Sequence, residues 1–248
     1  MENNELLRRA EDLRERCERS GSVTHTGFLT PAERYALEQW AKHTADCRLV
    51  FDGGGADCER TVGFFLPEYL EAEYFDASEY LRAIRLTAHF GAPGHRDYLG
   101  ALLGMGIGRE WLGDVRVTEN VAYVFCQPSV LRHLLSIEKV GRCGVTAEEV
   151  ALSEVPAPEK KVLQKSFSVQ SMRLDAIVGG MFNLSRTEAA RQISAGNVSI
   201  NYQVSLRTDF GVKEGDILSL KGAGKGSVTG TGGTSRKGRL FVYAEICQ

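Results

Sequence analysis

Hydrophobic and polar positions at the start of the chain alternate with the period of a helix. Apolar residues recur every three or four positions from Leu6 to Cys17, which predicts an amphipathic helix that ends at Gly21-Ser22. A second helix is predicted from the capping sequence Thr30-Pro31-Ala32-Glu33 to about Thr44, because it combines an N-cap, a first-turn proline and a capping-box Glu. We therefore expect an N-terminal helical segment over residues 1–45.

The pattern changes after Cys47 to short apolar runs that are typical of strands, mixed with two helices. Because hairpin connections dominate, we expect a compact α+β domain over residues 46–155, followed by a linker at 156–161. The predicted strands are Cys47–Phe51, Thr61–Leu66, Tyr80–Ala88, Val115–Thr118, Val121–Cys126 and Val145–Leu152, and the predicted helices are Asp97–Met105 and Pro128–Lys139.

A third region, residues 166–248, has the clearest helix boundaries. Two short helices are predicted, and Ser185 with Glu188 would form a capping box at the start of the second. Residues 221–239 contain seven glycines and five basic residues, which predicts a mobile basic loop. The predicted helices are Ser171–Gly180 and Ser185–Ala195, and the predicted strands are Val198–Asn201, Gly215–Leu220 and Leu240–Ile246.

Charge is distributed unevenly between the two ends of the chain. The formal net charge is −2, but residues 161–248 hold 12 Lys and Arg against 6 Asp and Glu, a net of +6. Residues 1–160 hold 18 against 26, a net of −8. An acidic front and a basic back indicate different roles for the two parts.

The same sequence indicates a cytoplasmic protein. The acidic start has no apolar core behind it, so no secretory signal is expected. The uncharged stretch Tyr98–Gly108 is about half of the ~20 residues that a membrane-spanning helix needs. The six cysteines are scattered without C-x-x-C spacing, which is typical of free thiols in a reducing compartment.

Several short motifs resemble catalytic signatures without their essential partners. His95-Arg96-Asp97 and Asp209-Phe210-Gly211 spell protein-kinase tripeptides, but the magnesium-binding Asn five residues after Asp97 is replaced by Leu102. Arg173-Leu174-Asp175 resembles the motif of pseudouridine synthases, but Val178 replaces the Thr that follows there, and the module is far too small for that catalytic fold. The histidines show no metal spacing. We expect a protein that is not an enzyme, with no catalytic residue, metal or cofactor.

Residues 167–220 resemble the S4 (S-four) RNA-binding domain. The resemblance rests on Met172 to Ile177, Leu184 to Ile193, Gly196 to Asn201 and Gly215-Asp216. It implies an αL-type domain in which the polar face of a helix pair binds RNA, with arginines on phosphates or unpaired bases. The RNA-binding candidates in this module are Arg173, Ser185, Arg186, Thr187, Arg191, Gln192 and Asn201, and those in the basic loop and at its end are Lys221, Lys225, Arg236, Lys237 and Arg239.

Structural roles for some of these candidates compete with RNA binding. Arg173 could pair with Asp175 or Asp216, and Ser185 could act only as a helix cap. The basic loop at 221–239 could be a solvated hairpin tip without a binding role. The sequence alone does not decide between these structural roles and RNA binding.

The central block adds a second resemblance. Asp52-Gly53-Gly54-Gly55 and the run from His95 to Glu110, ahead of an S4 domain, are similar to the YlmH family, which is also described in photosynthetic lineages. The resemblance implies a central RRM-like α/β domain, so the chain would combine a helical segment, this domain and the S4 module. It also implies binding to the large ribosomal subunit carrying peptidyl-tRNA, in ribosome-associated quality control.

The partners expected from this resemblance are structured RNA, meaning large-subunit rRNA and tRNA, and the large ribosomal subunit. We expect no membrane or DNA partner, a monomer, and a cytoplasmic location, or the chloroplast stroma in a plastid lineage. No aromatic pair with flanking basic residues is evident on the central strands, so no base-stacking platform is expected there.

The role of His95, Arg96 and Asp97 has two interpretations. In the structural one, a buried Asp97 caps the following helix and Arg96 pairs with a carboxylate. In the functional one, the tripeptide contacts rRNA or tRNA. The alternative hypothesis for the whole chain is an RNA-modifying enzyme, pseudouridine-synthase-like or other, that the S4 domain targets to its substrate.

Overall fold

The computed structural model describes residues 2–158, 162–235 and 238–247, and it divides into two compact units, Met1–Pro158 and Glu159–Gln248. Each unit has its own clusters of buried hydrophobic residues. Within the described part of the chain, no helix is both long and apolar enough to cross a membrane.

The predicted helices and strands all have counterparts, although the helix predicted over Pro128–Lys139 ends at Leu134 and Lys139 belongs to a strand. No strand is predicted at β1, β7, β9, β11 or β13, whose bounds follow. The first unit contains α1 (Glu2–Ser20), β1 (Thr24–Leu29), α2 (Pro31–Lys42), β2 (Leu49–Asp52), β3 (Thr61–Phe65), β4 (Arg82–Ala88), α3 (His95–Gly104), β5 (Leu112–Thr118), β6 (Val121–Cys126), α4 (Pro128–Leu134), β7 (Lys139–Val140) and β8 (Cys143–Val150). The second contains β9 (Val162–Val169), α5 (Leu174–Phe182), α6 (Arg186–Ser194), β10 (Val198–Ile200), β11 (Gln203–Val204), β12 (Ile217–Leu220), β13 (Gly224–Thr234) and β14 (Leu240–Cys247).

Strand β1 lies between the two predicted N-terminal helices and joins them to the next part of the chain. It pairs with β3 in a three-stranded sheet of order β1-β3-β2. Hydrophobic patterning misses β1 because its buried residues include Thr24 and Thr26, whose hydroxyls donate to the carbonyls of Leu13 and Gly27, both at 2.7 Å. Residues 1–45 therefore share a sheet with residues 46–66, and the predicted boundary at 45/46 falls inside one compact unit.

The central sheet has the strand order of an RNA recognition motif. Its order is β5-β6-β4-β8-β7, with every neighbouring pair antiparallel. Along the chain, β4-α3-β5-β6-α4-β8 gives the β-α-β-β-α-β sequence, in which the first and third strands lie in the middle. The RRM-like central domain that the family resemblance implies is present.

The two faces of this sheet are covered by different layers. On one face, Tyr98 and Leu102 of α3 and Leu134 of α4 are fully buried against alternate residues of β4 and β6. On the other face, Ala83 of β4 and Phe125 of β6 cluster with residues of β1 and β3, among them Phe28 and Phe64. The three-stranded sheet therefore covers the part of this face around Ala83 and Phe125, which an RNA recognition motif ordinarily leaves open.

Arg60, buried just before β3, fixes this second layer in place. Its Nη2 donates to the carbonyls of Phe28 (2.7 Å) and Arg109 (3.1 Å), and its Nε donates to the carbonyl of Leu112 (3.1 Å). The carboxylate of Asp114 accepts the backbone N–H of Arg60 at 3.0 Å. Burial lowers the pKa of Arg60 from its ordinary value, yet hydrogen bonds satisfy the guanidinium because three carbonyls converge on it.

The second unit packs both of its helices on one face of a six-stranded sheet of order β11-β10-β12-β13-β14-β9. From the helices, Leu174, Ile177 and Ile193 are fully buried, and Leu218 and Val242 meet them from the sheet. This arrangement gives the α+β class with a C-terminal S4 domain.

The prediction of a mobile loop over residues 221–239 is wrong. Gly224–Thr234 form β13, which pairs with β12 on one side and β14 on the other. A Cβ on Gly226 would lie 2.7 Å from the Glu245 carbonyl oxygen and 2.9 Å from the Met181 sulfur. Glycine is required at position 226 for close approach to the neighbouring strand and helix, so Gly226 marks tight packing within a strand and not a mobile loop.

We expect Arg60→Leu to lower the free energy of unfolding by about 3 kcal/mol, because buried carbonyl groups lose their donors. Urea unfolding followed by circular dichroism measures the effect. Arg48→Leu is the matched control, since Arg48 forms only an exposed ion pair with Glu71 and should cost less than about 1 kcal/mol. Equal stability of the two variants would contradict the anchoring role of Arg60.

Candidate nucleic-acid interface

The helix pair of the second unit is held by caps at the turn between α5 and α6. Asn183 ends α5 in the left-handed conformation with φ 58°, and the backbone N–H of Leu184 donates to the Gly179 carbonyl at 2.9 Å. Ser185 begins α6, where its hydroxyl accepts the N–H of Glu188 at 3.1 Å. This short connection sets Arg186 beside the start of α5.

Asp175 gathers two of the predicted RNA-binding arginines. Its side chain is 8% exposed and accepts hydrogen bonds from Arg173 Nε (3.2 Å) and Nη2 (3.1 Å) and from Arg186 Nε (3.3 Å). The arginine side chains are 39% and 56% exposed. One buried carboxylate therefore orients two guanidinium groups that face solvent.

Asp175 stays ionised despite its burial. Burial alone would raise the pKa of this carboxyl, but the hydrogen bonds and charges of Arg173 and Arg186 outweigh it and lower the pKa below its ordinary value. The pairing of Arg173 with Asp175, which the sequence left open, is thus the arrangement observed, and it leaves the rest of the guanidinium exposed.

Arg191 is neutralised within its own helix. Its Nε and Nη2 donate to the two carboxylate oxygens of Glu188 at 2.8 and 2.7 Å, and Gln192 donates to the same carboxylate at 2.8 Å. Hydrogen bonds from Arg191 and Gln192 lower the pKa of Glu188 to about 2. Glu188 therefore binds these side chains, and only the Ser185 half of the predicted capping box forms.

The remaining candidates of the module are dispersed. Thr187 is exposed on α6, close to Arg186 in sequence. The amide of Gln192 also accepts from Asn197 at 2.8 Å, so both of its ends serve the fold. Asn201, with φ 47°, binds Asp216 and the backbone N–H of Ile217 in a turn.

The basic residues after β12 are only partly described. Lys221 is exposed, Lys225 is half-buried in β13, and Arg239 is exposed with its Nη2 donating to the Ser168 carbonyl at 2.6 Å. Arg236 and Lys237 lie outside the described residues. The described basic residues of this segment lie along a hairpin and do not belong to the Asp175 cluster.

Sequence reasoning missed Arg207, which lies in the connection after β11. Its side chain is 73% exposed and pairs with Asp209 at 3.4 Å. The backbone N–H of Asp175 donates to the Thr208 carbonyl at 3.0 Å, so this connection lies beside the start of α5 and brings Arg207 near the Asp175 cluster. The S4 motif gives no signal at this position, and only the fold brings the loop beside the helix pair.

Asp97 combines features of both interpretations of its tripeptide. Its carboxylate accepts the N–H of Gly94 at 2.8 Å and caps α3, as the structural interpretation predicts. It is exposed, however, and in the described ranges Arg96 forms no ion pair, so the predicted burial and pairing are wrong. His95 and Arg96 are likewise exposed at the start of α3. The same described ranges contain no cluster of His, Cys, Asp or Glu that could hold a metal ion.

The central sheet does carry an aromatic pair that sequence reasoning missed, Tyr123 and Phe125 on β6. Arg85 and Arg116 flank Tyr123 from the neighbouring strands, a relation visible only once the register is known. Phe125 is fully buried, and Arg116 lies over its ring at 5.0 Å. Arg85 pairs with Glu148 at 2.9 Å. The Phe125 end of this face is therefore covered, whereas Tyr123 is half-buried and Arg85, although paired with Glu148, is 37% exposed.

Two family models match the chain. "Putative RNA-binding domain in YlmH" matches residues 73–154, which contain the RRM-like sheet and its helices, and "S4 domain" matches residues 172–218, which contain α5 and α6. Together they place an RNA-binding domain in each of the two units.

Comparisons with whole proteins agree with these matches. "Ribosome-associated protein quality control protein P2" of Bacillus subtilis (strain 168) is 30% identical over 221 residues, covering 89% of this chain and 86% of that protein. The structure of "Cell division protein ylmH from Streptococcus pneumoniae" covers 62% of this chain and 94% of its own, with a TM-score of 0.50 and 21% identity. The latter likeness shows a shared fold.

We expect Asp175→Asn to lower the free energy of unfolding by about 1.5–3 kcal/mol at neutral pH, because it removes the charge that binds Arg173 and Arg186. The folded pKa of Asp175 lies below its ordinary value of 3.8. Its stabilising contribution is therefore present above that value and is lost as the pH falls through the folded pKa.

Denaturation at a series of pH values tests this, and the difference between wild type and Asp175→Asn should shrink on acidification. Asp209→Asn is the matched control, since Asp209 is an exposed carboxylate paired with Arg207 and its removal should change stability little. A difference between Asp175→Asn and wild type that persists unchanged at low pH would contradict the ionic role of Asp175.

Proposed function

This chain belongs to the YlmH family of RNA-binding proteins, and we propose that it binds large-subunit rRNA and tRNA on the large ribosomal subunit through its S4 helix pair. The observation that carries the proposal is the shared contact of Arg173 and Arg186 with Asp175, which holds two exposed guanidinium groups at one edge of α5 and α6. The relative from Bacillus subtilis, named for ribosome-associated protein quality control, supports a role in quality control at the ribosome, and our proposal extends that role to stalled peptidyl-tRNA.

The chemistry of this edge suits structured RNA. A guanidinium can bind a phosphate bidentately or stack on an unpaired base. Arg186 contacts Asp175 through Nε, so its two terminal NH2 groups take no part in this contact. Because Asp175 restrains both arginines, little conformational entropy is lost when RNA binds.

We propose a binding function without catalysis. Asp175, the counterpart of the pseudouridine-synthase aspartate in the short motif, is engaged by two arginines. Asp97, the aspartate of the kinase-like tripeptide, caps its own helix. Both carboxylates therefore have structural roles that account for their positions.

The same proposal includes the location and the oligomeric state of the protein. We place the protein in the cytoplasm, bound as a monomer to the large subunit. The relatives found are bacterial, and they give no support to a chloroplast location.

Co-sedimentation with large ribosomal subunits over a series of salt concentrations tests the helix-pair contact. We expect Arg173→Ala with Arg186→Ala to weaken binding and to reduce the log–log salt slope by about 0.7–0.9 for each lost phosphate contact. Arg191→Ala is the matched control on the same helix and should cost less, because Glu188 already neutralises Arg191. Undiminished binding by the double variant would show that the helix pair does not make the proposed contact.

Glu188→Gln should have the opposite effect. The substitution removes the carboxylate that holds Arg191, so we expect tighter binding to large subunits and a salt slope steeper by about 0.7–0.9. Glu68→Gln makes the same change in net charge at an exposed position in the connection after β3, in the first unit, and serves as control. An equal gain from both substitutions would mean that overall charge, and not release of Arg191, sets the affinity.

A further inference from the structure

We propose that the outer face of the second unit's sheet is a separate RNA-binding surface, on which Phe241 and Tyr243 stack unpaired bases. The two side chains stand two positions apart on β14 and therefore point to the same face. Val242 and Ala244 alternate with them and are buried under α5 and α6, so the aromatic pair points away from the helices. Phe241 is 38% exposed and Tyr243 is 47% exposed.

Small residues on both neighbouring strands keep the aromatic rings accessible. On β13, a Cβ at Gly232 would lie 2.9 Å from the Tyr243 hydroxyl, so the ring rests against a strand that lacks side chains there. On β9, Ser166 is opposite Tyr243 and Ser168 is opposite Phe241. A flat ligand can therefore approach the pair without displacing a large side chain.

The charged residues at the two ends of the aromatic pair favour one placement of a bound RNA strand. Arg239 is exposed two residues before Phe241, and its contact with the Ser168 carbonyl at 2.6 Å holds the guanidinium at that end of the pair. Glu245, half-buried two residues after Tyr243, makes the other end acidic, and the carboxylate of Glu214 adds to this because it lies near Gly230, opposite Tyr243. We place the phosphate of a bound nucleotide at the Arg239 end, where charge complementarity is favourable.

The occupant that fits these features is single-stranded RNA. Aromatic side chains on a sheet face, next to basic residues, bind unpaired bases of any sequence by stacking. Duplex RNA keeps its bases stacked on one another and cannot use such a platform. A partner strand is disfavoured because β14 lies between β13 and β9 and has no free edge. This surface is separate from the helix pair and goes beyond the function proposed above.

Fluorescence anisotropy of the full chain with a labelled single strand of twelve uridines tests the platform. We expect Phe241→Leu and Tyr243→Leu each to weaken binding at least about fivefold, because each removes one stacking partner. Tyr243→Phe should retain wild-type affinity. The ratio between wild type and Tyr243→Leu should stay constant from low to high salt, whereas the loss caused by Arg239→Ala should fade at high salt.

Tyr74→Leu is the matched control, since Tyr74 is 78% exposed and lies in the first unit. Thermal unfolding of each variant checks that the fold is retained. Wild-type affinity in both leucine variants of β14, or an equal loss in Tyr74→Leu, would overturn the platform.

Two further outcomes separate this inference from the proposed function. If only Arg173→Ala with Arg186→Ala weakens binding of the twelve-uridine strand, the strand binds the helix pair and the platform is wrong while the proposed function stands. If Tyr243→Leu leaves RNA binding intact but abolishes self-association measured by sedimentation, the face is a contact between copies and the platform is again wrong. Loss confined to the β14 variants, with large-subunit binding retained, supports two separate surfaces.

Discussion

The apolar face that the central sheet turns away from its helices is the constraint on which the rest of the molecule depends. Phe125 and Ala83 lie on this face, and burying such side chains stabilises a fold by about 25 cal/mol for each Å² removed from water. The sheet of β1, β2 and β3 provides the cover, and Arg60 fixes it. In an RNA recognition motif this face stacks bases. Because the sheet of β1, β2 and β3 covers the Phe125 end of this face and Glu148 neutralises Arg85 beside Tyr123, our proposals place RNA contact on surfaces of the second unit.

Charge in the second unit is organised by pairing, so its net value is a poor guide to its contacts. Arg191 and Glu188 cancel on α6, whereas Arg173 and Arg186 share the single carboxylate of Asp175. The shared contact leaves an excess positive charge in one place and orients it. A sequence-level count of +6 shows that a polyanion would be attracted, and the pairing indicates which arginines it would meet.

Much of the fold follows from the sequence because its signals are local. The capping box at Thr30, for example, needs only residues that are three positions apart, and it forms as predicted. Strand β1 could not be found this way, since the hydroxyl of buried Thr26 accepts the backbone N–H of Gly63, a hydrogen bond that only the folded sheet supplies. The glycines of β13 led to the opposite error, in which a loop was predicted where a strand forms. The close approach of Gly226 to its neighbours depends on tertiary contacts that the sequence does not show. At the candidate site, the motif located the arginines but could not show that Glu188 binds one of them.

Strand β14 is last in chain order but lies inside the sheet, between β13 and β9. Until residues 240–247 have been synthesised, β9 and β13 have no common neighbour and Val242 and Ala244 are missing from the core. A growing chain can thus complete the first unit well before the second, since domains fold in the order of synthesis. Translation that stops short of residue 240 would leave a folded first unit joined to an unfinished sheet, whose unpaired strand edges expose it to aggregation.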